Sequence, residues 1–135
     1  MKNVLITLLF GLLALSTCRA DDWQRADIYF VDWYVSSRIP FTPERVRRLA
    51  EHKHTFRRGA PAVAHLLELS KLKPARDKTQ EDARLVIDLL DDTMQRHTFY
   101  ASMFNLCSAD NKRKRAIDDK FRERLTRLAT QHKTK

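Results

Sequence analysis

The stretch QEDARLVIDLLDDTMQRHTFYASMFNL, residues 80–106, carries the strongest hydrophobic pattern in the chain, and its reading decides the fold. Ala83, Val86, Ile87, Leu90, Met94, His97, Ala101 and Phe104 recur at three- and four-residue spacings. Leu85, Leu89, Phe99 and Met103 add a second apolar edge. Such recurrence predicts one long helix over residues 80–106. Thr79 followed by Asp82 resembles a capping box at its start, with Asp a weaker partner than Glu. A helix apolar on more than one side is normally the central element of a bundle.

Working outward, Ser108 or Asp110 is expected to cap a last helix whose stripe is Ile117, Phe121, Leu125 and Leu128, with a frayed tail over 130–135. Upstream, Thr42-Pro43-Glu44 is a helix start: Thr as N-cap, Pro in the first turn, then an acid. Val46, Leu49, Ala50 and Phe56 would form its buried side, and Gly59 its C-terminal cap after Arg57 and Arg58. A short helix over 61–72 places Val63, Leu66, Leu67 and Leu69 inward, and Pro74 closes it. The first piece, residues 22–37, spaces Trp23, Ala26, Phe30 and Trp33 helically. Its run Ile28-Tyr29-Phe30-Val31 also suits a strand, and helix is the preferred reading. The expected fold is therefore all-α: a compact bundle of four to five helices in a single domain spanning residues 21–135.

Residues 1–20 read as a secretory signal peptide: Lys2, an apolar run from Val4 to Leu15, then small and polar residues ending at Ala20. The run is shorter than the roughly 20 apolar residues of a spanning helix. A periplasmic or secreted location follows. The alternative takes Leu15-Ser16-Thr17-Cys18 as a degenerate lipobox, with Cys18 lipidated and the protein anchored in the bacterial envelope. The whole chain has 26 bases, 17 acids and a formal charge of +9; removal of Lys2 and Arg19 leaves 24 bases and +7. That charge favours an acidic partner or an anionic surface. Cys107 is then the one cysteine of the mature chain, expected to be buried at an apolar position rather than to join two chains.

Candidate chemistry is sparse. His52 and His54 diverge on a helix and lack further ligands for zinc. His97 and His65 fall on or beside apolar stripes and read as core histidines. Asp88, Asp91 and Asp92 read as a solvated helix face, as do Asp118 and Asp119; no nucleophile or phosphate-binding motif appears. No enzyme, metal or cofactor is expected.

Two features point instead to binding. Lys112, Arg113, Lys114 and Arg115 form a dense basic cluster, and Arg45, Arg47, Arg48, Arg57 and Arg58 a second. Trp23, Trp33 and Tyr34 belong to an aromatic group beside them; Trp, Tyr and Arg dominate binding energy at protein interfaces. The expected function is a non-enzymatic exported protein that binds an acidic protein partner, as an immunity protein binds a toxin acting in the envelope. A homodimer is a further expected form. The alternatives are an adaptor or pilot-type lipoprotein held to the membrane through Cys18, and a nucleic-acid-binding protein, the less favoured reading.

Overall fold

The computed structural model describes residues 23–69 and 71–130. The expected export segment 1–20, Cys18 within it, and residues 131–135 lie outside that range. Among the described residues no helix is long and apolar enough to cross a membrane.

The all-α expectation is overturned. The described residues form one seven-stranded antiparallel sheet with three short helices. In chain order the elements are β1 (Trp23–Phe30), α1 (Pro43–Leu49), β2 (His52–Arg57), α2 (Pro61–Leu69), β3 (Lys73–Pro74), β4 (Leu85–Asp91), β5 (Arg96–Ala101), β6 (Asn105–Ser108), β7 (Arg113–Ala116) and α3 (Asp119–Thr130). The sheet order is β2-β1-β4-β5-β6-β7-β3.

The expected long helix is two central strands and the first half of a third. β4 pairs with β1 on one side and β5 on the other. Its residues Leu85 through Leu89 are all buried because both faces of the sheet are covered there. A strand buried on both faces reads as a continuous apolar run, without the alternation that would distinguish it from a helix. The break between β4 and β5 is a tight turn. Asp91 N donates to Gln95 O (3.0 Å), and the Asp91 carboxylate accepts from the N–H groups of Thr93 and Gln95 (2.9 Å each). Met94 closes this turn at φ 65°, a left-handed position where Gly or Asn is usual. The turn therefore lacks its sequence signature.

The faces follow from the two-residue period of a strand. On one face Ala26, Ile28 and Phe30 of β1 and Leu85, Ile87 and Leu89 of β4 pack against Val63 and Leu66 of α2 and Phe121, Leu125 and Ala129 of α3. Trp33 joins this core, and its indole N–H donates to Thr126 Oγ1 at 2.7 Å. On the other face Val86, Tyr100 and Cys107 pack with Phe41, Ala83 and Val46 of α1.

Local signals survived where they were independent of the hydrophobic period. Thr42 caps α1 by accepting from Arg45 N, with Pro43 in the first turn. That helix ends at Leu49, however, and residues up to Arg57 turn into β2. Gly59 is left-handed at φ 83° as expected, but it ends a strand. The last helix exists with Phe121 and Leu125 inward, and its cap is Asp118, accepting from Phe121 N (2.8 Å), rather than Ser108 or Asp110.

Met94 is 68% exposed, so its left-handed backbone is not offset by packing. A non-glycine residue there costs about 1 kcal/mol, and Asn tolerates the conformation better than most residues. Met94→Asn is expected to stabilise the fold by roughly 0.5 kcal/mol, read as a higher urea midpoint with an unchanged slope.

Candidate functional site

β7 carries the basic cluster of residues 112–115, and the strand's alternation divides it. Lys114 points to the face that α1 partly covers, where its ammonium meets Glu81 at 2.8 Å and Thr79 O at 2.9 Å. Arg113 and Arg115 point to the helix-covered face. The Arg115 guanidinium lies 4.9 Å from the Phe121 ring centre on α3. β3 then adds Lys73 directly opposite Lys114 and Pro74 opposite Arg113. β3 has only two residues and pairs with the Arg113–Lys114 half of β7, while Arg115 and Ala116 pair with β6 on the other side.

Two cavities open at that end and share Arg115 and Ala116. One, of about 350 Å³, is lined by Ile117, Asp118, Lys120, Phe121 and Arg124 as well. The other, of about 420 Å³, is lined by Lys71, Lys73 and Lys114 as well. Asp118 is the one carboxylate among the lining residues, and it is engaged as the α3 cap. Among the described residues neither Lys73, Lys120 nor Arg124 has an acidic partner. The result is a basic, partly apolar groove along one sheet edge.

Behind Lys114 lies a polar cluster. Glu81 accepts from Lys114, Ser102 Oγ (2.6 Å) and Asn105 Nδ2 (2.9 Å). Burial pushes its carboxyl pKa up, but these three donors outweigh that and leave it below the ordinary value. Tyr100 accepts from Glu81 N at 3.0 Å and donates to the Asn111 side chain; burial raises the phenol well above its usual range. Burial also raises the Cys107 thiol, to about 12. A carboxylate held ionised and saturated with donors is a weak base, and a thiol that stays protonated is a weak nucleophile. The arrangement clasps the segment before β4 onto β5, β6 and β7. A third cavity of about 300 Å³ adjoins it, lined by Glu81, Asp82, Arg84, Ser102, Met103 and Phe104.

The remaining candidates scatter. Arg45 on α1 stacks over Phe41 (4.8 Å) and donates to Ile39 O (3.1 Å), while Arg48 is exposed on the same helix. Arg57 and Arg58 are exposed at the end of β2 and in the turn after it. Trp23 begins β1 and meets His97 edge-on at 5.0 Å. Trp33 is core, and Tyr34 is 79% exposed on the loop after β1. The aromatic group therefore does not form one surface.

Several expectations about polar residues are corrected as well. Asp88 is buried beside Arg47, which donates to it from Nε and Nη2 at 2.8 Å each. His97 is half-exposed, 2.9 Å from the Asp91 carboxylate, and His65 is exposed. On β2, His52 and His54 share a face because the element is a strand, and their rings pack on Phe30 and Phe56. Among the described residues no group of three or more His, Cys, Asp and Glu side chains is placed to hold a metal ion. Sequence reasoning missed Lys71, Lys73, Lys120 and Arg124, which reach the groove only through the β3–β7 pairing and the packing of α3. No periodicity links them, so no sequence signal would have found them.

The chain matches no protein-family model, no curated protein and no solved structure at significant similarity.

Glu81 titrates lower in the folded chain than its ordinary value of 4.5. Its contribution to stability is therefore complete above that value and fades as pH falls through the folded-state pKa. Glu81→Gln is expected to cost about 1–2 kcal/mol at pH 7, with the difference from the parent shrinking below pH 4 in urea titrations. The buried Cys107 should react with a thiol reagent only after denaturant is added, and the mature chain should run as a monomer on non-reducing gels.

Proposed function

We propose that the mature chain is a non-enzymatic exported protein that binds an acidic protein partner through the groove formed by β3, β7 and α3. The observation that carries this reading is the pair of joined cavities, lined by Lys71, Lys73, Lys114, Arg115, Lys120 and Arg124 against one engaged carboxylate. Facing like charges across the β3–β7 pair, Lys73 against Lys114, costs stability unless something offsets it. Glu81 offsets Lys114 and Glu68 pairs with Lys71 from within the chain; an acidic partner would offset Lys73, Lys120 and Arg124. Phe121 and Ile117 give the groove an apolar floor, which lets a protein segment bury surface there as well as neutralise charge.

What favours binding over catalysis is the state of the reactive groups. The Cys107 thiol is buried and protonated, and Glu81 is saturated by its donors. Export rests on the 1–20 segment, and toxin neutralisation is the narrower form of the same reading.

The test is capture by the mature chain from nuclease-treated envelope extract, washed at high salt. One stoichiometric acidic protein is expected with the parent chain. Lys73→Glu combined with Arg124→Glu should weaken that complex at least tenfold, about 1.4 kcal/mol or more, with unchanged thermal unfolding. Equal capture by the variant, or none by either chain, would remove this assignment. Loss of a toxic activity in the captured protein would establish the narrower form.

A further inference from the structure

The strand register builds a second basic feature that the sequence clusters do not show. Arg57 on β2 faces Arg25 on β1, Arg25 faces Leu90 on β4, and Leu90 faces Arg96 on β5. These four residues form one row on the sheet face that α1 only partly covers. With strands spaced by about 4.8 Å, the row spans roughly 14 Å. Arg57, Arg25 and Arg96 are exposed, and Leu90 is half-buried between them.

The neighbouring row explains why Arg25 alone of these arginines is paired within the chain. It consists of Thr55, Asp27, Asp88 and Thr98. Both carboxylates are buried and already engaged. Asp27 accepts from Thr55 Oγ1 at 2.7 Å and meets Arg25 at 3.2 Å. Asp88 is held by Arg47 and accepts from Thr98 Oγ1 at 2.6 Å. Among the described residues Arg57 and Arg96 are thus left without an acidic partner. Like charges placed directly opposite on an antiparallel pair are destabilising, so the Arg25–Arg57 juxtaposition is a cost that an anion bound from outside would relieve.

We infer that the row Arg57–Arg25–Leu90–Arg96 is a docking surface for an acidic segment of a partner protein, separate from the β3–β7 groove. Guanidinium forks donate bidentately to carboxylates, so carboxylates sit over Arg57 and Arg25 at one end and Arg96 at the other. An apolar side chain between them rests on Leu90. This pattern favours a peptide over a nucleic acid, whose regular phosphates would set a charge against Leu90. The inference stands independently of the groove, because the two sites share no residue.

The test uses the mature chain and a fluorescein-labelled peptide in which glutamate pairs flank leucine, followed by fluorescence anisotropy. Combining Arg57→Gln with Arg96→Gln should weaken binding at least tenfold while the melting temperature stays unchanged. Replacing the peptide's leucines by serine should weaken it several-fold. The groove variant, Lys73→Glu with Arg124→Glu, should change it less than threefold. No binding by the parent chain, or equal binding by the Arg57/Arg96 variant, overturns the inference. Loss of binding in the groove variant alone also overturns it while leaving the groove reading intact. Equal competition by single-stranded DNA of the same charge would overturn the choice of a peptide.

Discussion

The rest of the structure depends on β4 being dry on both faces. Leu85, Ile87 and Leu89 project into the core closed by α2 and α3, and Val86 projects into the core closed by α1 and the loops around Phe41 and Ala83. Its backbone is satisfied by β1 on one side and β5 on the other. Because backbone polar groups buried away from water must be paired, a six-residue stretch with five apolar residues can in this setting be a central strand as readily as a helix. Once it is a strand, β1 and β5 are drawn in beside it and the helices are confined to the faces.

One acid interrupts that dry strand, and it organises the opposite face. Asp88 would be costly to bury alone, and Arg47 reaches it from α1 with two parallel hydrogen bonds while Thr98 supplies a third. Removing one member of such a pair typically costs about 3–5 kcal/mol, because the other is left buried and uncompensated. The pair thus fixes how α1 lies on the sheet, and with it how much of the face α1 leaves open. Glu81 and Lys114 do the same for the segment that precedes β4. In both places a buried or half-buried carboxylate consumes one base, and among the described residues Lys73, Arg57 and Arg96 have no acidic partner.

The positive charge therefore has a geometry that composition does not convey. Bases line both margins of the sheet: Lys53 and Arg57 on β2 at one edge, Lys73 on β3 at the other. Charged and very short edge strands, and proline such as Pro74, resist pairing with another chain, which accounts for part of this arrangement without any ligand. It does not account for the cavities beside β7 or for Arg25 and Arg96, which stand on interior strands. Those features are where binding is argued.

Much that is local was legible in the residues alone. Thr42 and Pro43 start a helix, Pro61 starts another, Phe121 and Leu125 mark the inner side of the last, Gly59 is left-handed, and Cys107 is buried. Each rests on capping, backbone or transfer chemistry that operates within a few residues. The sheet was not legible, because β4 lacks alternation and the turn after it is made by Met94 at positive φ rather than by glycine or asparagine. The basic groove and the arginine row were hidden for a related reason: their members come from strands tens of residues apart. The amino-acid sequence by itself determined the charge and the starts of two helices, at Thr42-Pro43 and at Pro61. Only the tertiary structure decided that residues 80–106 are strands, and which bases stand side by side, because long-range pairing and two-sided burial leave no periodic trace in the chain.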